Sequence, residues 1–522
     1  MHIVCDENHR DYEALRGILS DTYQAGDDSS VTIADSSEGW VSAYKALVTA
    51  HETEEPSVIV FDVSSIRPSG SVLRKGGKAS GPRIFIDCLR QTNTLCNSNV
   101  GELITSTFML RMGHAIANCI VAGSIRRSGL LAVKHWLDHD IYDFIKIKQV
   151  EPFWTYNLSV IVDDLFFKEY AAGDPIATNL YNNVVTSMLA NGEPGIWNIT
   201  AASVGELETP IAPNLCAELA MPAYSCCDLS SINLGHPDHQ DVAALTKSIQ
   251  INVRFLVRST FAPLTLPQSR EVVDRERRIG AGIMGYHDWL TRKGIAYGAA
   301  AYDEAIHAEI FDMFRTAKIT AHDYAFLLRI PEPVKVTCCA PNGTTSFLPG
   351  VAPGIQPVYA KYGIRRVRYP STDPQLDIAR AANLTVEPDL AAPNTMVVEY
   401  PYKSHLFEIT DKPEIVQDAS NITVRDYLQT ACMFQSLYAD NSVSYTINID
   451  PSLGDDIRAN LIKALPMLKG ITVLPDGAYP QSPEERITED QYEMTHLKPQ
   501  FTPRCSNGVC GIGNEEPHFE GE

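Results

Sequence analysis

Short β-branched runs alternate with amphipathic stretches of helix length along this chain, and this alternation restricts the possible folds most. VTIAD is followed by EGWVSAYKALVTAHE and then by SVIVFDV, and further on NLSVIVDD precedes PIATNLYNNVVTSMLAN. Strand, helix and strand at this spacing are typical of parallel strands joined by helical crossovers. We therefore expect an α/β fold with a largely parallel sheet or barrel.

Composition narrows the functional class. The 522 residues are 44% hydrophobic, which is enough for one large core or for two to three ordinary domains. The net charge of −21 argues against a nucleic-acid-binding surface. The start MHIVCDENHRDYEAL lacks a basic segment followed by an apolar run, and no apolar stretch approaches the roughly 18 residues of a membrane-spanning helix. These features predict a soluble, cytoplasmic protein with neither nucleic-acid nor membrane partners.

The twelve cysteines are too sparse for a disulfide-stapled secreted scaffold. In a reducing compartment, closely spaced cysteines are candidates for redox chemistry or metal binding. Such pairs are Cys226 with Cys227, Cys338 with Cys339, and Cys505 with Cys510. We interpret most of the others as buried free thiols: Cys5, Cys88, Cys96, Cys119 and Cys432.

The segment PIAPNLCAELAMP carries the sharpest chemical signal. In an extended segment, Asn214, Cys216 and Glu218 would lie on one face, so that a thiol is flanked by an amide and a carboxylate. From these residues alone, a buried structural cysteine is an equally good interpretation. Pro213 and Pro222 favour a stiff loop over the interior of a helix.

Adjacent cysteines follow in SCCDLSSINLG. Neighbouring residues on a strand face opposite sides, so only one of Cys226 and Cys227 can share a site with Cys216. A disulfide between the adjacent pair would be strained. One buried thiol beside one incidental thiol is the alternative interpretation.

The end of the chain carries CSNGVC. Its Asn-Gly is a strong turn former that can bring Cys505 and Cys510 within disulfide range. We expect a mobile arm whose dithiol shuttles electrons by thiol–disulfide exchange. A zinc site would need two more ligands, and this part of the chain offers only His496 and His518, so we expect no metal.

In PNGTTS a tight turn is followed by three hydroxyl residues. This segment can present backbone and side-chain donors to a phosphate. It is not a Walker loop because no lysine follows the glycine, and an ordinary surface turn is the alternative. Basic clusters could neutralise phosphates or lie on solvated faces: Arg126 with Arg127, and Arg365 and Arg366 with Arg368.

Ordered motifs along nearly the whole chain resemble one known family. They are DSSEGW, DVSSIRPSG, GGKASGP, IVAGSIRRSG, NGEPGIWN, NLCAE, CCDLSSINLG, RERRIGAGIMGYHDWL, PNGTTS, ADNSVSYTI and CSNGVC. The chain is similar to the adenosylcobalamin-dependent (class II) ribonucleotide reductases, in particular to the monomeric ribonucleoside-triphosphate type. The resemblance implies a partial ten-stranded α/β barrel over residues 1–490, which lacks its N-terminal strands and has a central finger loop with the radical cysteine. It also implies a flexible redox tail over residues 491–522.

The resemblance also implies roles for individual residues. Cys216 would carry the thiyl radical that abstracts the ribose 3′-hydrogen, and Glu218 would deprotonate the 3′-hydroxyl. Asn214 would hold the substrate hydroxyls. Cys227 would be one thiol of the pair that reduces the sugar. Cys505 and Cys510 would re-reduce that pair and be recharged by a thioredoxin-like donor, while the substrate phosphates would bind Gly343, Thr344, Thr345 and Ser346.

Adenosylcobalamin is implied by the resemblance only, because the chain has no Asp-x-His-x-x-Gly corrinoid signature. The large subunit of the diiron-dependent class passes its radical through adjacent tyrosines, and this chain has no Tyr-Tyr dipeptide. The CSNGVC tail also resembles the cobalamin class. We expect a triphosphate substrate, with a diphosphate as the alternative.

The chain departs from the family pattern at its start. Family members carry an upstream segment with the first barrel strand and the second thiol of the reducing pair, and Cys5 does not match that thiol. We hypothesise a split reductase completed by a separately encoded N-terminal fragment. The alternatives are a truncated product, a non-catalytic nucleotide-binding subunit and, least favoured, a free-standing thiol oxidoreductase.

Overall fold

The computed structural model of the chain contains two compact units, residues 1–130 with 150–157 and residues 131–149 with 158–522. The residues that it describes are 1–23, 30–52, 58–74, 78–122, 126–151, 153–371, 373–390, 395–496, 503–506 and 509–512.

The first unit begins with a small parallel sheet, in the strand order β1-β3-β2. Its elements are β1 (His2–Val4), α1 (Tyr12–Leu15), β2 (Ser30–Thr32), α2 (Ser37–Ala50), β3 (Val60–Asp62), α3 (Arg83–Ser98), α4 (Ser106–Cys119), β4 (Val121–Ala122) and β5 (Arg126–Arg127). The order β2, α2, β3 with parallel pairing confirms the strand–helix–strand prediction for this segment.

The core of this unit lies between the sheet and its helices. Phe61 is fully buried on β3, and Leu47 of α2 and Leu89 of α3 pack in the same cluster. Ser36 caps α2, because its side chain accepts a hydrogen bond from the Gly39 N–H. The β3 strand is buried along its whole length, as expected for a strand covered on both faces.

The second unit holds the remaining elements, except for the first residue of β6, the last of α5 and the first two of β7, which are assigned to the first unit. Its first part comprises β6 (Leu130–His135), α5 (Ile141–Val150), β7 (Tyr156–Val162), α6 (Asp164–Ala171), α7 (Pro175–Asn191), β8 (Gly195–Asn198), α8 (Ile199–Ser203), β9 (Ala212–Pro213), β10 (Ala220–Met221), β11 (Leu229–Asn233), α9 (Val242–Ser259) and α10 (Pro267–Glu276). Next come β12 (Gly280–Met284), α11 (Tyr286–Lys293), α12 (Tyr297–Ala300) and α13 (Glu304–Leu328).

The last part of this unit continues the mixed α/β order. It comprises β13 (Tyr362–Pro370), α14 (Gln375–Ala381), β14 (Val386–Pro388), β15 (Thr395–Lys403), α15 (Val424–Leu437), β16 (Thr446–Ile449), α16 (Gly454–Ala464), β17 (Gly470–Pro475), β18 (Glu484–Arg486), α17 (Glu489–His496), β19 (Pro503–Ser506) and β20 (Val509–Ile512).

Two groups of strands form the barrel-like part of this unit. Five strands follow the order β16-β17-β8-β7-β6, in which β7 pairs with β8 and β16 with β17 in parallel, whereas β17 and β8 are antiparallel. In the second group β11 and β12 are parallel, and further parallel bridges join Ala281 to Thr337 and Cys339 to Val443. The expectation of an α/β fold is therefore confirmed. The described strands of these two groups form separate, open sheets with mostly parallel pairing.

Helix α7 shows why the sequence between these strands is helical. Asp174 caps it, Pro175 occupies its first turn, and Gly192 ends it in the left-handed conformation at φ 79°. Proline suits the first turn because its missing N–H is not needed there, and glycine suits the end because it has no Cβ. One face of α7 is buried, including Val184 and Met188.

A separate antiparallel sheet follows the order β14-β15-β13-β18, and α14 packs against it. The chain then enters α17, whose Tyr492 is only 6% exposed and lies beside Tyr362. The boundary expected between residues 490 and 491 therefore falls inside a helix. The tail expectation for the residues beyond it stays a prediction.

Candidate active site

A β-hairpin presents the NLCAE residues. Strands β9 and β10 pair with Ala220 opposite Pro213, and the backbone N–H of Asn214 donates to the Leu219 carbonyl at 2.9 Å. Inside this frame, the Ala217 N–H donates to the Asn214 carbonyl at 2.9 Å. The six residues from 214 to 219 thus form a closed loop with Cys216 near its tip. We call residues 211–222 the finger loop.

The expectation of an extended NLCAE segment was wrong. Ala217 adopts φ 64°, a left-handed conformation that a strand does not contain. Alternation of side chains along a strand therefore does not bring the polar residues together. The turn does so instead, because it folds Asn214 back onto Glu218. The inference from the flanking prolines, a loop rather than a helix, is confirmed.

Asn214 holds the loop together through its side chain. Its Oδ1 accepts a hydrogen bond of 3.0 Å from the Leu219 N–H. The same side chain also hydrogen-bonds Glu218 and Cys227. One amide therefore connects the carboxyl group to the second thiol.

Glu218 is an acid in an unusual environment. It is only 2% exposed, and its Oε2 has no hydrogen-bond partner among the described residues. Burial raises the pKa of its carboxyl, and the hydrogen bond from Asn214 opposes this only in part. A buried carboxyl with an open acceptor and a raised pKa can exchange a proton with a bound ligand.

Cys227 lies next to this group. Desolvation by the neighbouring groups raises the pKa of its thiol to about 11, with a further contribution from the Glu218 charge, although the residue as a whole is exposed. Its Sγ contacts Met221 Sδ at 3.6 Å. Cys227 therefore stays a protonated thiol at neutral pH and can donate hydrogen. Met221 is a contact that the sequence reasoning missed, because a methionine in AELAMP carries no recognisable signal.

Cys216 is exposed, and the adjacent Leu215 is 39% exposed. Cys216 is the smallest of the electrostatic contributions that raise the pKa of Cys227, so the two thiols lie near one another. The finger loop comes close to the five-stranded sheet, because a Cβ built on Gly470 of β17 would lie 4.0 Å from Ala217 Cβ and 3.7 Å from Trp197 Cδ1. Four predicted residues, Asn214, Cys216, Glu218 and Cys227, therefore meet on and beside the finger loop.

The PNGTTS residues form a tight turn that runs into a 3-10 helix, Thr345–Phe347. Gly343, Thr344 and Thr345 are exposed and available to a ligand. Ser346 differs from them, because it is fully buried and its Oγ has no partner among the described residues. The four residues expected to bind phosphates are therefore contiguous. Gly343, Thr344 and Thr345 are exposed to solvent, whereas the Ser346 hydroxyl is buried.

The basic cluster on β13 is paired with carboxylates. Arg365 binds Glu484, and its guanidinium also lies 4.0 Å from the centre of the Phe347 ring. Arg366 binds Glu399 at 2.7 Å and Arg368 binds Asp389 at 2.7 Å. These arginines are therefore occupied by carboxylates of the same sheet, and they do not form a simply solvated face, since the Arg366 side chain is only 10% exposed. The side chains of Arg126 and Arg127 lie outside the described residues.

The two other cysteine pairs differ in their surroundings. Cys338 and Cys339 are both fully buried free thiols, which indicates packing. Cys505 on β19 and Cys510 on β20 are direct cross-strand partners in an antiparallel pair, and the Asn-Gly between the two strands lies outside the described residues. Their side chains lie outside the described residues. No cluster of three potential metal ligands occurs in the described part of the chain.

None of the described helices has both the length and the apolar character that crossing a membrane requires.

Two family models match the chain. The model of the ribonucleotide reductase barrel domain matches residues 175–323, which contain the finger loop. The model of the insertion domain of B12-dependent ribonucleotide reductases matches residues 1–96. The resemblance had placed these first residues with the barrel.

Curated relatives extend over almost the whole chain. A protein of Mycobacterium phage D29, provisionally named as an adenosylcobalamin-dependent ribonucleoside-triphosphate reductase, is 35% identical over 98% of this chain and 80% of its own. The adenosylcobalamin-dependent ribonucleoside-triphosphate reductase of Lactobacillus leichmannii is 28% identical over 94% of this chain and 70% of its own.

Solved structures agree. A crystal structure of a B12-dependent (class II) ribonucleotide reductase superposes with a TM-score of 0.75 at 26% identity, covering 95% of this chain and 72% of the other. The α subunit of a class Id ribonucleotide reductase from Actinobacillus ureae superposes with a TM-score of 0.51 at 18% identity, which shows a shared fold alone.

Proposed function

Because the chain belongs to the adenosylcobalamin-dependent, class II ribonucleotide reductases, we propose that it reduces ribonucleoside triphosphates to 2′-deoxyribonucleoside triphosphates for DNA synthesis. The observation that carries this proposal is the convergence of Asn214, Cys216, Glu218 and Cys227 at one loop. A non-catalytic nucleotide-binding subunit would need neither an exposed thiol at a loop tip nor a buried carboxyl beside it.

Each residue has a role that its environment suits. The Cys216 thiyl radical takes the 3′-hydrogen atom of the ribose, forming an S–H bond and leaving a carbon radical. Glu218 removes the 3′-hydroxyl proton with its unpartnered oxygen. The 2′-hydroxyl then leaves as water, with a proton from Cys227, whose raised pKa keeps the thiol protonated. A second thiol gives a hydrogen atom to C2′, and the disulfide radical anion that it forms with Cys227 passes one electron to the 3′-ketone while Glu218 returns the proton to the 3′-oxygen. Cys216 finally returns its hydrogen atom to C3′ and is again a thiyl radical.

Two electrons must enter the sugar in each turnover. They come from Cys227 and a second thiol, which together become a disulfide. Cys226 is a poor partner because adjacent cysteines form a strained disulfide, and Cys216 is needed as the radical carrier. We propose that a complementing N-terminal reductase fragment supplies the second thiol. The relatives contain residues without a counterpart here, since the alignments cover 80% and 70% of their lengths.

Adenosylcobalamin would have to approach the finger loop from its exposed side, where the Cys216 sulfur is accessible. When bound, it supplies the radical that removes the hydrogen atom from the Cys216 thiol. The chain contributes an exposed sulfur for that transfer and, beside it, the partly exposed apolar side chain of Leu215, which would face the cofactor. A sulfur buried in the core could not meet an external radical source.

The tail hairpin supplies the reducing equivalents. Cys505 and Cys510 lie opposite one another on β19 and β20, which is a backbone register in which a disulfide between two cysteines is possible. The tail dithiol reduces the active-site disulfide by exchange and is itself reduced by a thioredoxin-like donor. A reducing compartment such as the cytoplasm suits this cycle.

The test is an assay of the full chain with adenosylcobalamin, a dithiol and each ribonucleoside triphosphate or diphosphate, with and without the product of the upstream reading frame. The expected result is cobalamin-dependent formation of deoxyribonucleoside triphosphate, abolished in Cys216→Ala. Activity only with the second product supports a split enzyme. Activity without it contradicts that part of the proposal, and absence of activity with all components contradicts the reductase function.

A further inference from the structure

Asn342 adopts a backbone conformation that few residues tolerate. Its φ of 55° lies in the left-handed region, where asparagine is favoured over other residues that carry a Cβ. This conformation turns the chain from the strand-like segment that ends at Ala340 into the exposed residues Gly343 to Thr345. The position of Asn342 therefore determines where the turn projects.

The Asn342 side chain is anchored on the neighbouring strands. Its Nδ2 donates to the carbonyl oxygens of Ala340 at 2.9 Å and Ile283 at 3.1 Å, and its Oδ1 accepts from the hydroxyls of Ser231 at 2.9 Å and Thr345 at 3.1 Å. This amide orientation follows from the surrounding groups, because the opposite one would place Oδ1 against two carbonyl oxygens. One side chain thus connects β11, β12 and the turn.

Ser231 is the partner of Asn342 on β11, four residues after Cys227. Gly282 on β12 leaves room for it, because a Cβ on Gly282 would lie 2.7 Å from Ser231 Oγ. The strand that begins beside the second active-site thiol therefore also carries the hydroxyl that holds the turn. The neighbouring Ser230 has a different partner, since its Oγ donates to Asn252 Oδ1 at 2.6 Å.

We propose that Asn342 and Ser231 are positioning residues that set the distance between the phosphate-binding turn and the finger loop. This inference rests on the proposed function, in which Gly343 to Thr345 bind the substrate phosphates. Through its bond to Ser231, Asn342 fixes the turn relative to β11 and hence to Cys227. A turn held in this way aligns the ribose with Cys216 when the phosphates bind.

The test compares Asn342→Gly and Ser231→Ala with the matched control Ser230→Ala in the full chain. Glycine keeps the left-handed backbone conformation but removes the anchor. For both variants we expect KM for the ribonucleoside triphosphate to rise about tenfold and kcat to fall about fivefold, because the phosphates bind more weakly and the ribose is less well aligned with Cys216. Ser230→Ala should leave both constants unchanged.

A second measurement tests the role of the two residues in phosphate binding independently of whether the chain reduces nucleotides. Calorimetric titration with inorganic tripolyphosphate and with the ribonucleoside triphosphate needs no turnover, and both ligands should bind the two variants about tenfold more weakly than wild type. Wild-type affinity in both variants would overturn the inference, as would equal weakening in Ser230→Ala. Weakened binding in a wild-type-folded chain that reduces no nucleotide would support the inference and overturn the proposed reaction.

Discussion

Asn214 Oδ1 accepts a hydrogen bond of 3.0 Å from the backbone N–H of Leu219, and this contact closes the loop that carries Cys216 near its tip. Leu219 is fully buried, so water could not replace Asn214 Oδ1 as the acceptor for the Leu219 N–H. The amide therefore contributes to the shape of the site as well as to its chemistry. Its two tasks can be separated by substitution.

Asn214→Ala should lower the free energy of unfolding by about 1–3 kcal/mol, because it leaves the buried Leu219 N–H without its side-chain acceptor. Asn214→Asp keeps the acceptor and should lose less stability, but it places a second carboxyl beside Glu218 and should lose activity. Urea unfolding followed by circular dichroism, together with the reductase assay, checks both. Equal stability of the two variants would show that the Leu219 contact is dispensable.

Cys216→Ala should abolish reduction, by at least about a thousandfold, while leaving the fold intact. The reason is that the thiol is exposed at the loop and its loss creates no cavity. The measurements are deoxyribonucleotide formation and the thermal unfolding midpoint. Cys432→Ala is a matched control at a buried thiol and should retain activity. Residual turnover in Cys216→Ala would exclude it as the radical carrier.

Glu218→Gln should stabilise the protein at neutral pH while abolishing activity. Burial raises the pKa of Glu218 in the folded state, so the folded protein binds more protons than the unfolded chain between the ordinary value of 4.5 and the raised value. Wild-type stability therefore falls as pH rises through this window. Each unit by which the pKa is raised corresponds to about 1.4 kcal/mol.

The pH dependence of this difference is its check. The two proteins should have the same stability near pH 4, where Glu218 is protonated in both states, and the glutamine variant should be the more stable at pH 7. The acid limb of kcat/KM in the wild type should lie above 4.5, since the base must be ionised. A stability difference that is independent of pH would contradict the assignment.

Gly280→Ala should destabilise the chain by about 1–3 kcal/mol through overpacking. A Cβ there would lie 2.4 Å from Leu229 Cδ2 and 2.9 Å from Cys338 Sγ, beneath the strand that follows Cys227. Gly470→Ala is the matched control, because its Cβ would meet only ordinary contacts of 3.6 Å or more. The measurement is the urea concentration at the unfolding midpoint of each variant. Equal midpoints would show that the strands near Cys227 can shift to accommodate the added methyl group.

Replacing both Cys505 and Cys510 by serine should remove turnover with a thioredoxin-like donor while sparing reduction of about one equivalent of substrate by the prereduced enzyme. The variant leaves the finger loop unchanged, so chemistry at Cys216 should continue until the active-site thiols are oxidised. Rapid-quench product counts measure this. Full turnover with the protein donor would exclude the tail as the electron carrier.

The residues by themselves determined the type of fold and the candidates for chemistry. Alternating apolar runs predicted strands joined by helices, because secondary structure follows the local periodicity of burial. Asn-Gly predicted the hairpin that pairs Cys505 with Cys510, because that turn is set by two residues. The ordered motifs, which are local stretches of sequence, were sufficient to indicate the family.

Tertiary structure decided how the site is built. NLCAE was expected to be extended, but contacts between residues that the local pattern does not link close it into a turn with Ala217 at φ 64°. The burial of Glu218, the Met221 contact to Cys227 and the bond from Ser231 to Asn342 across 111 positions follow from chain segments that meet only in the folded state. Local periodicity cannot encode which segments meet, and the pKa of a carboxyl depends on that packing.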